Sequence, residues 1–402
     1  MRNGVLEAVD AAVRLTDAVQ SQDLHRRKTI GNLLGCHRGT LGGRLEKCLD
    51  CSRASGIPHS CRNRSCPRCQ AGASLDWLES QRASLLDAKY FHNVFTLPHS
   101  LNPVVRQNRE KCLSLLFRSA AETLDAFARD KLGAKIGYTA VLHTWGQTLC
   151  EHYHLHLIVA GGGISLDGER WVDAPGRRLF AVQALSQVFR AKYLSGLEAL
   201  READELEFHG GARRFAGGKA FGGLLAQAAR KKWAVYSKRP FAGPGQVLKY
   251  LSLYTHRAGI SDGRILSVRE RRLKVSFLYK DYADGSRIKR MRLGLAEFLR
   301  RFCLHVLPPR FVKIRHYGIL SNRNRKALVA RSRVLIKRIR PVVGEGKKEP
   351  AETPEGGRAD EAFRSKEPCC PWCGSPRLEE TAVLGAGRIL QRPVLYVAFD
   401  SG

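Results

Sequence analysis

Histidines at 152, 154 and 156 stand two apart and lead directly into the apolar run Leu157–Ala160. Side chains alternate across a strand with a period of two, so this spacing predicts a strand carrying its imidazoles on one face. The segment before it holds His143. A turn at residues 148–151 would make a hairpin in which 147 pairs with 152, 145 with 154 and 143 with 156. His143 is then expected directly across from His156, with Cβ atoms about 5 Å apart. Imidazoles that converge in this way leave coordination positions open for water or a phosphate oxygen, the pattern of a catalytic metal site. Gln147 and His152 are the alternatives to His143 as third ligand.

Around this hairpin the pattern is mixed. Phe91–Leu97, Tyr138–Trp145, His154–Ala160 and Leu273–Tyr279 read as strands, and Gln107–Lys131, Ala181–Ala203 and Gln246–Thr255 as helices. Leu6, Val9, Val13, Leu15 and Val19 suggest a short amphipathic helix near the start. The Gly-rich stretch Phe208–Leu224 is expected to be irregular. The fold class is therefore α+β. The domains are expected as an N-terminal helix and zinc-binding module over 1–80, a catalytic domain over 86–340, a flexible linker over 341–368 and a short tail over 369–402.

Cys48-x2-Cys51 is followed by Cys66-x2-Cys69, and two such pairs can close a tetrahedral Zn²⁺ site. Cys61 lies between the pairs, with Cys36, His37 and His59 near. They could form a second site, replace one of the four ligands, or be merely buried. Arg62, Arg64 and Arg68 are interleaved with these cysteines and suggest a face presented to DNA. Cys370 and Cys373 have no second pair beside them in sequence and amount to half a site.

The chain has 68 Lys+Arg against 37 Asp+Glu, a net charge of +31. Basicity on that scale points to a polyanion, and nucleic acid fits better than a membrane surface because no amphipathic or lipidated anchor is evident. Between Arg310 and Arg340 there are eleven basic residues and no acid. That run, with Arg323, Arg325 and Lys326, is expected to lie along phosphates. No segment approaches the ~20 apolar residues that span a bilayer. Residues 1–28 lack the apolar centre of a signal peptide, so a cytoplasmic, reducing setting is expected, with cysteines as ligands or buried thiols rather than disulfides.

Tyr250 and Tyr254 are spaced i, i+4 and share a face of the helix read over 246–256. Aromatic core packing is one reading of that spacing. The other is a nucleophile pair, since a phenol needs a good electrophile, and a metal-clamped phosphodiester is one. Tyr236 and Tyr279 come next as candidates.

In order, Ser60-Cys-Arg-Asn-Arg-Ser-Cys-Pro-Arg-Cys-Gln70, Phe95-Thr-Leu-Pro-His99, His143-Thr-Trp-Gly-Gln147, His152-Tyr-His-Leu-His156 with Gly161-Gly-Gly163, Tyr250-Leu-Ser-Leu-Tyr254 and Tyr279-Lys-Asp-Tyr282 resemble the rolling-circle transposases of the insertion-sequence-91 family. These belong to the two-tyrosine HUH endonucleases. The resemblance covers residues 30–320. It implies a zinc-binding module followed by an HUH-type, ferredoxin-like antiparallel sheet with flanking helices. It also implies His154 and His156 holding Mg²⁺ or Mn²⁺, His143 as a third ligand, and Tyr250 and Tyr254 as nucleophiles on single-stranded element ends and target DNA. The working metal comes from the resemblance, since imidazoles alone favour softer ions. Arg44 and Ser65 stand where the family pattern has histidine, removing two possible zinc ligands. Two other readings share part of these features: a plasmid relaxase or replication initiator, and a catalytically inactive zinc protein that binds DNA.

Overall fold

The computed structural model describes residues 4–176, 178–238, 247, 255, 259–340 and 369–386. In chain order, α1 (Val5–Leu15) and α2 (Leu24–Gly35) precede a hairpin of β1 (Gly43–Cys48) and β2 (Ala54–Pro58), then α3 (Pro67–Arg82). Next come β3 (Tyr90–Thr96), α4 (Asn102–Gln107), α5 (Arg109–Phe127), β4 (Ala134–Trp145), β5 (Glu151–Ser165) and β6 (Trp171–Asp173). α6 (Val182–Glu202), α7 (Gly218–Arg230) and β7 (Val235–Ser237) follow. Beyond them lie β8 (Ile265–Arg269), β9 (Lys274–Asp281), β10 (Arg287–Gly294), a helix over Leu295–Cys303, β11 (Ile314–Gly318), a helix over Arg325–Ile339, and β12 (Leu378–Leu384).

The central sheet has the order β11-β4-β5-β3-β7, with β6 against β5, and every pairing in it is antiparallel. Alternation gives it two unlike faces. On one, Phe91 and Phe95 of β3, Tyr138 and Leu142 of β4, and Leu155, Leu157 and Val159 of β5 pack with Leu116 and Leu124 of α5 and Phe189 and Tyr193 of α6. On the other, Tyr90, Ile158 and Ala160 pack with Val247, Ile319 and Val329, Leu335 and Ile336 of the Arg325–Ile339 helix. The histidines of β5 belong to this second face. At Gly162 the Trp171 ring lies within 2.6 Å of where a Cβ would sit, so only glycine lets β6 close on β5.

A second antiparallel sheet, β10-β9-β8, carries the Leu295–Cys303 helix. α1 buries Val5, Leu6, Val9 and Ala12 in that same cluster, against Ile265, Phe298 and Phe302. The N-terminal helix is thus amphipathic as expected, packed on Ile30 and Leu33 of α2 and on residues far downstream. The tail is likewise no separate unit, because β12 pairs antiparallel with β1. The expectation that Phe208–Leu224 is irregular fails in its second half. α7 occupies Gly218–Arg230 and buries Phe221, Leu224, Leu225 and Ala228. Burying that stripe outweighs the helix cost of glycine, about 1 kcal/mol per residue relative to alanine.

A candidate metal centre and two cysteine clusters

The hairpin turn runs over residues 146–150, closed by Gly146 N–H donating to Cys150 O at 2.9 Å. This turn and an irregularity beside Trp145 place His143 opposite His154 and Val141 opposite His156. The expected pairing of His143 with His156 is therefore corrected by two residues. The shift is even, so it leaves every side chain on its face. The His143 ring still reaches both partners, with centroids 5.3 Å from His154 and 4.5 Å from His156.

One nitrogen from each of His143, His154 and His156 lies within 4.8 Å of the other two. The Nε2 atoms of His154 and His156 are 3.1 Å apart. Two ligands at ~2.1 Å from one ion and at right angles are separated by about 3 Å, so the donor set fits a single cation with positions to spare. His154 Nδ1 is 2.8 Å from the His152 carbonyl, which can only accept, so the neutral ring carries its proton there and its lone pair at Nε2. His156 Nδ1 meets His92 Nε2 at 2.9 Å, with the two rings stacked. Burial holds His154 and His156 well below the ordinary histidine value, and their crowding by other histidines adds to it. Burial brings His92 down to about 3. His154 and His156 are thus uncharged near neutral pH, as the ligands of a cation must be.

His152 is outside this trio, pairing through Nδ1 with His99 Nε2 at 3.0 Å. Gln147 accepts from the Lys280 amide at 3.5 Å, at the turn rather than in the cluster. His92 was not foreseen. It lies on β3 opposite Ile158, two residues from His156. The period-two rule applied to Phe91–Leu97 would have put it on this face, but no histidine beside it in sequence draws attention to it.

The start of β5 is braced from below. Arg106 Nε lies 2.9 Å from both carboxylate oxygens of Glu151, which also accepts from Tyr153 Oη at 2.6 Å. Burial pushes the Glu151 carboxyl up, and the bonds from Arg106 and Tyr153 more than offset this, leaving it below the usual carboxylate range. A lowered carboxylate contributes stability that is present above its unfolded pKa of about 4.3 and lost as pH falls through the folded value. Arg106→Ala should therefore cost about 1–3 kcal/mol at pH 7, discounted for the half-exposed guanidinium. Urea titrations of both proteins should show that gap shrinking below about pH 4; an unchanged gap in acid would mean the ion pair is not its source.

Tyr250 and Tyr254 lie outside the described residues. Val247 and Thr255, which flank them, are buried. Tyr236 is on β7 opposite Val94, which in turn faces His156, so it shares the histidine face and is 53% exposed. Tyr279 is on β9, opposite Lys289 of the second sheet.

The cysteines do not assemble as expected. Cys48, Cys51, Cys66 and Cys69 do not form one site. Cys66 and Cys69 join Cys36 and Cys61, whereas Cys48 and Cys51 join Cys370 and Cys373. The reason is the β1–β2 hairpin: Cys48 is at its turn, while Pro58, pairing with Gly43, leads to Cys61 at its open end. Five residues of strand, roughly 16 Å, hold the pairs apart. In the first cluster the Cys36–Cys69, Cys61–Cys69 and Cys36–Cys66 sulfurs are 3.5, 3.6 and 3.7 Å apart. A tetrahedron with Zn–S arms of about 2.3 Å has edges of about 3.8 Å, so the set suits zinc.

The basic residues divide too. Arg64 is turned inward, donating to the carbonyls of Leu307 at 3.1 Å, Pro308 and Phe311, so it ties the cysteine module to the segment that leads into β11 instead of facing DNA. Arg68 forms an ion pair with Glu7 at 3.7 Å. Arg62, Arg323 and Lys326 are exposed, and Arg325 is half-buried.

No helix among the described residues is long and apolar enough to cross a membrane. Residues 8–97 match the model of a transposase zinc-binding domain, and residues 137–327 match that of a putative transposase. The putative transposase y4qJ of Sinorhizobium fredii (strain NBRC 101917 / NGR234) is 42% identical over 336 residues, covering 82% of this chain and 84% of its own. The transposase for insertion sequence element IS801 of Pseudomonas savastanoi pv. phaseolicola is 28% identical over 311 residues, covering 74% of this chain and 70% of its own. A solved structure, the metal-free conjugative relaxase TrwC in complex with oriT DNA, aligns over 62% of this chain and 72% of that one at 14% identity, with a TM-score of 0.22. That last likeness is too slight to bear on the fold. The zinc-binding match falls on the first cysteine cluster and the transposase match on the histidine hairpin, and with a relative 42% identical along most of both chains, this protein belongs to the insertion-sequence-91 family of transposases.

Proposed function

We propose that this transposase cuts single-stranded DNA at the ends of its element by tyrosine attack and passes the strand to a target in rolling-circle fashion, acting in the cytoplasm. The observation that carries this reading is the convergence of His143, His154 and His156 on one face of the sheet. These three residues would hold a divalent cation, Mg²⁺ or Mn²⁺, which when bound polarises the scissile phosphate. His92 and the His152 carbonyl fix the ring orientations, so the Nε2 atoms stay aimed at one point.

Val247 supports Tyr250 and Tyr254 as the nucleophiles. It packs with Ile158 and Tyr90, on the histidine face. On the sequence reading of a helix over 246–256, residues 250 and 254, three and seven positions beyond it, would share its side. A tyrosine oxygen forms the new bond to phosphorus, and the 3′ oxygen leaves and takes up a proton. The product is a 5′-phosphotyrosyl strand and a free 3′ hydroxyl. Attack by a target 3′ hydroxyl reverses the step and returns the phenol.

The test uses purified protein and single-stranded oligonucleotides spanning the element ends. A 3′-labelled strand should migrate as a protein adduct that survives denaturation, and a 5′-labelled one should appear as a short free fragment. An adduct on the 5′-labelled piece, or cleavage of duplex alone, contradicts the proposal.

A further inference from the structure

Cys370 and Cys373 lie far outside the zinc-binding match at residues 8–97, and the transposase reading gives them no role. The structure assigns a second structural zinc to Cys48, Cys51, Cys370 and Cys373, a clasp that fastens the C-terminal tail to the N-terminal module. The four sulfurs lie within 4.8 Å of one another. Cys48 and Cys373 are 3.6 Å apart, as are Cys51 and Cys370. A disulfide needs about 2.05 Å, whereas a tetrahedral zinc with arms of about 2.3 Å separates its sulfurs by about 3.8 Å.

The backbone around the two pairs repeats. Cys48 N–H donates to Arg53 O at 2.9 Å, and Cys370 N–H donates to Ser375 O at 2.8 Å, five residues on in each case. The residue after the second cysteine is left-handed both times, Ser52 at φ 58° and Gly374 at φ 73°. Two loops of one design face each other across the site.

The surroundings are built to keep the tail there. β12 pairs with β1 from Leu384 opposite Gly43 to Leu378 opposite Cys48, making a three-stranded sheet with β2. Arg377 Nη1 donates to Asp50 at 2.8 Å, and the Arg53 guanidinium sits over the Trp372 ring at 5.9 Å. The ligands come from positions 325 and 319 residues apart. Closing so long a loop with one ion restricts the unfolded chain and pins the two ends of the protein together.

Zinc counted on the full-length protein tests this. Wild type should hold about two ions per chain. Cys370→Ser with Cys373→Ser should lose one, Cys48→Ser with Cys51→Ser should lose one, and all four changes together should still lose only one. A tail variant that keeps every zinc overturns the clasp, as does additive loss in the fourfold variant. A second measurement avoids folding defects in the variants. With a protease site placed in 341–368, the cut tail should copurify with the body and separate when a zinc chelator is added. Separation before the chelator overturns the proposal.

Discussion

On the proposed mechanism, Tyr250→Phe combined with Tyr254→Phe should leave no detectable protein–DNA adduct, a loss of at least about a thousandfold, because the attacking oxygen would be gone. The substitution deletes one oxygen from each side chain and keeps the ring, so the double variant should fold, retain its zinc and bind element-end DNA. Each single variant should retain part of the oligonucleotide cleavage while transposition in cells drops far more, since one phenol suffices to cut and two are needed to hold two ends in turn. An adduct from the double variant would move the nucleophile elsewhere. The geometry names the alternative: Tyr236 is exposed on β7 in the same cross-strand row as His156.

The second large effect is at the three converging histidines. His154→Ala removes one of two nitrogens 3.1 Å apart and should reduce cleavage by about a hundredfold or more, the scale of losing one preorganised electrostatic partner of the phosphate. His143→Ala should do less, and excess Mn²⁺ should partly restore it, because the His154–His156 pair still offers two ligands. Manganese titrations of both variants with the same oligonucleotide separate the cases. If His143→Ala cleaves like wild type at limiting metal, His143 is a neighbour and not a ligand. Zinc content should be unchanged in both, since the cysteine clusters are built from other elements.

Much of the histidine site could be read from the chain because its information is local. The period-two spacing of His152, His154 and His156 is a property of one strand, and His143 is one hairpin away. Its register differs by two residues from the one spacing suggests, because the turn spans 146–150, with Leu149 at φ 59°, and the ladder slips beside Trp145, which spacing cannot reveal. The cysteine partition was hidden for a different reason. Cys48-x2-Cys51 and Cys66-x2-Cys69 look like partners when only sequence separation is weighed, yet a rigid hairpin parts them and the true complement lies over 300 residues away. Arg64 shows the same limit, since a basic residue in a basic chain gives no sign that carbonyls at 307, 308 and 311 will claim it. α7 was lost to its glycines, whose local cost is legible while the core that repays it is not.

The placement of α1 has a consequence for how the protein comes into being. Its apolar side meets Phe298, Leu299 and Phe302, which are made about 290 residues later. At roughly 5–20 residues per second, a ribosome needs about 15–60 s to cover that distance, and the first helix spends all of it with only nearby residues such as Ile30 and Leu33 to cover its stripe. During that interval the part of the stripe that awaits those residues is a target for chaperones and proteases. A gene copy cut short anywhere before the Leu295–Cys303 helix therefore yields a polypeptide with its first helix only partly covered, prone to destruction instead of partial activity.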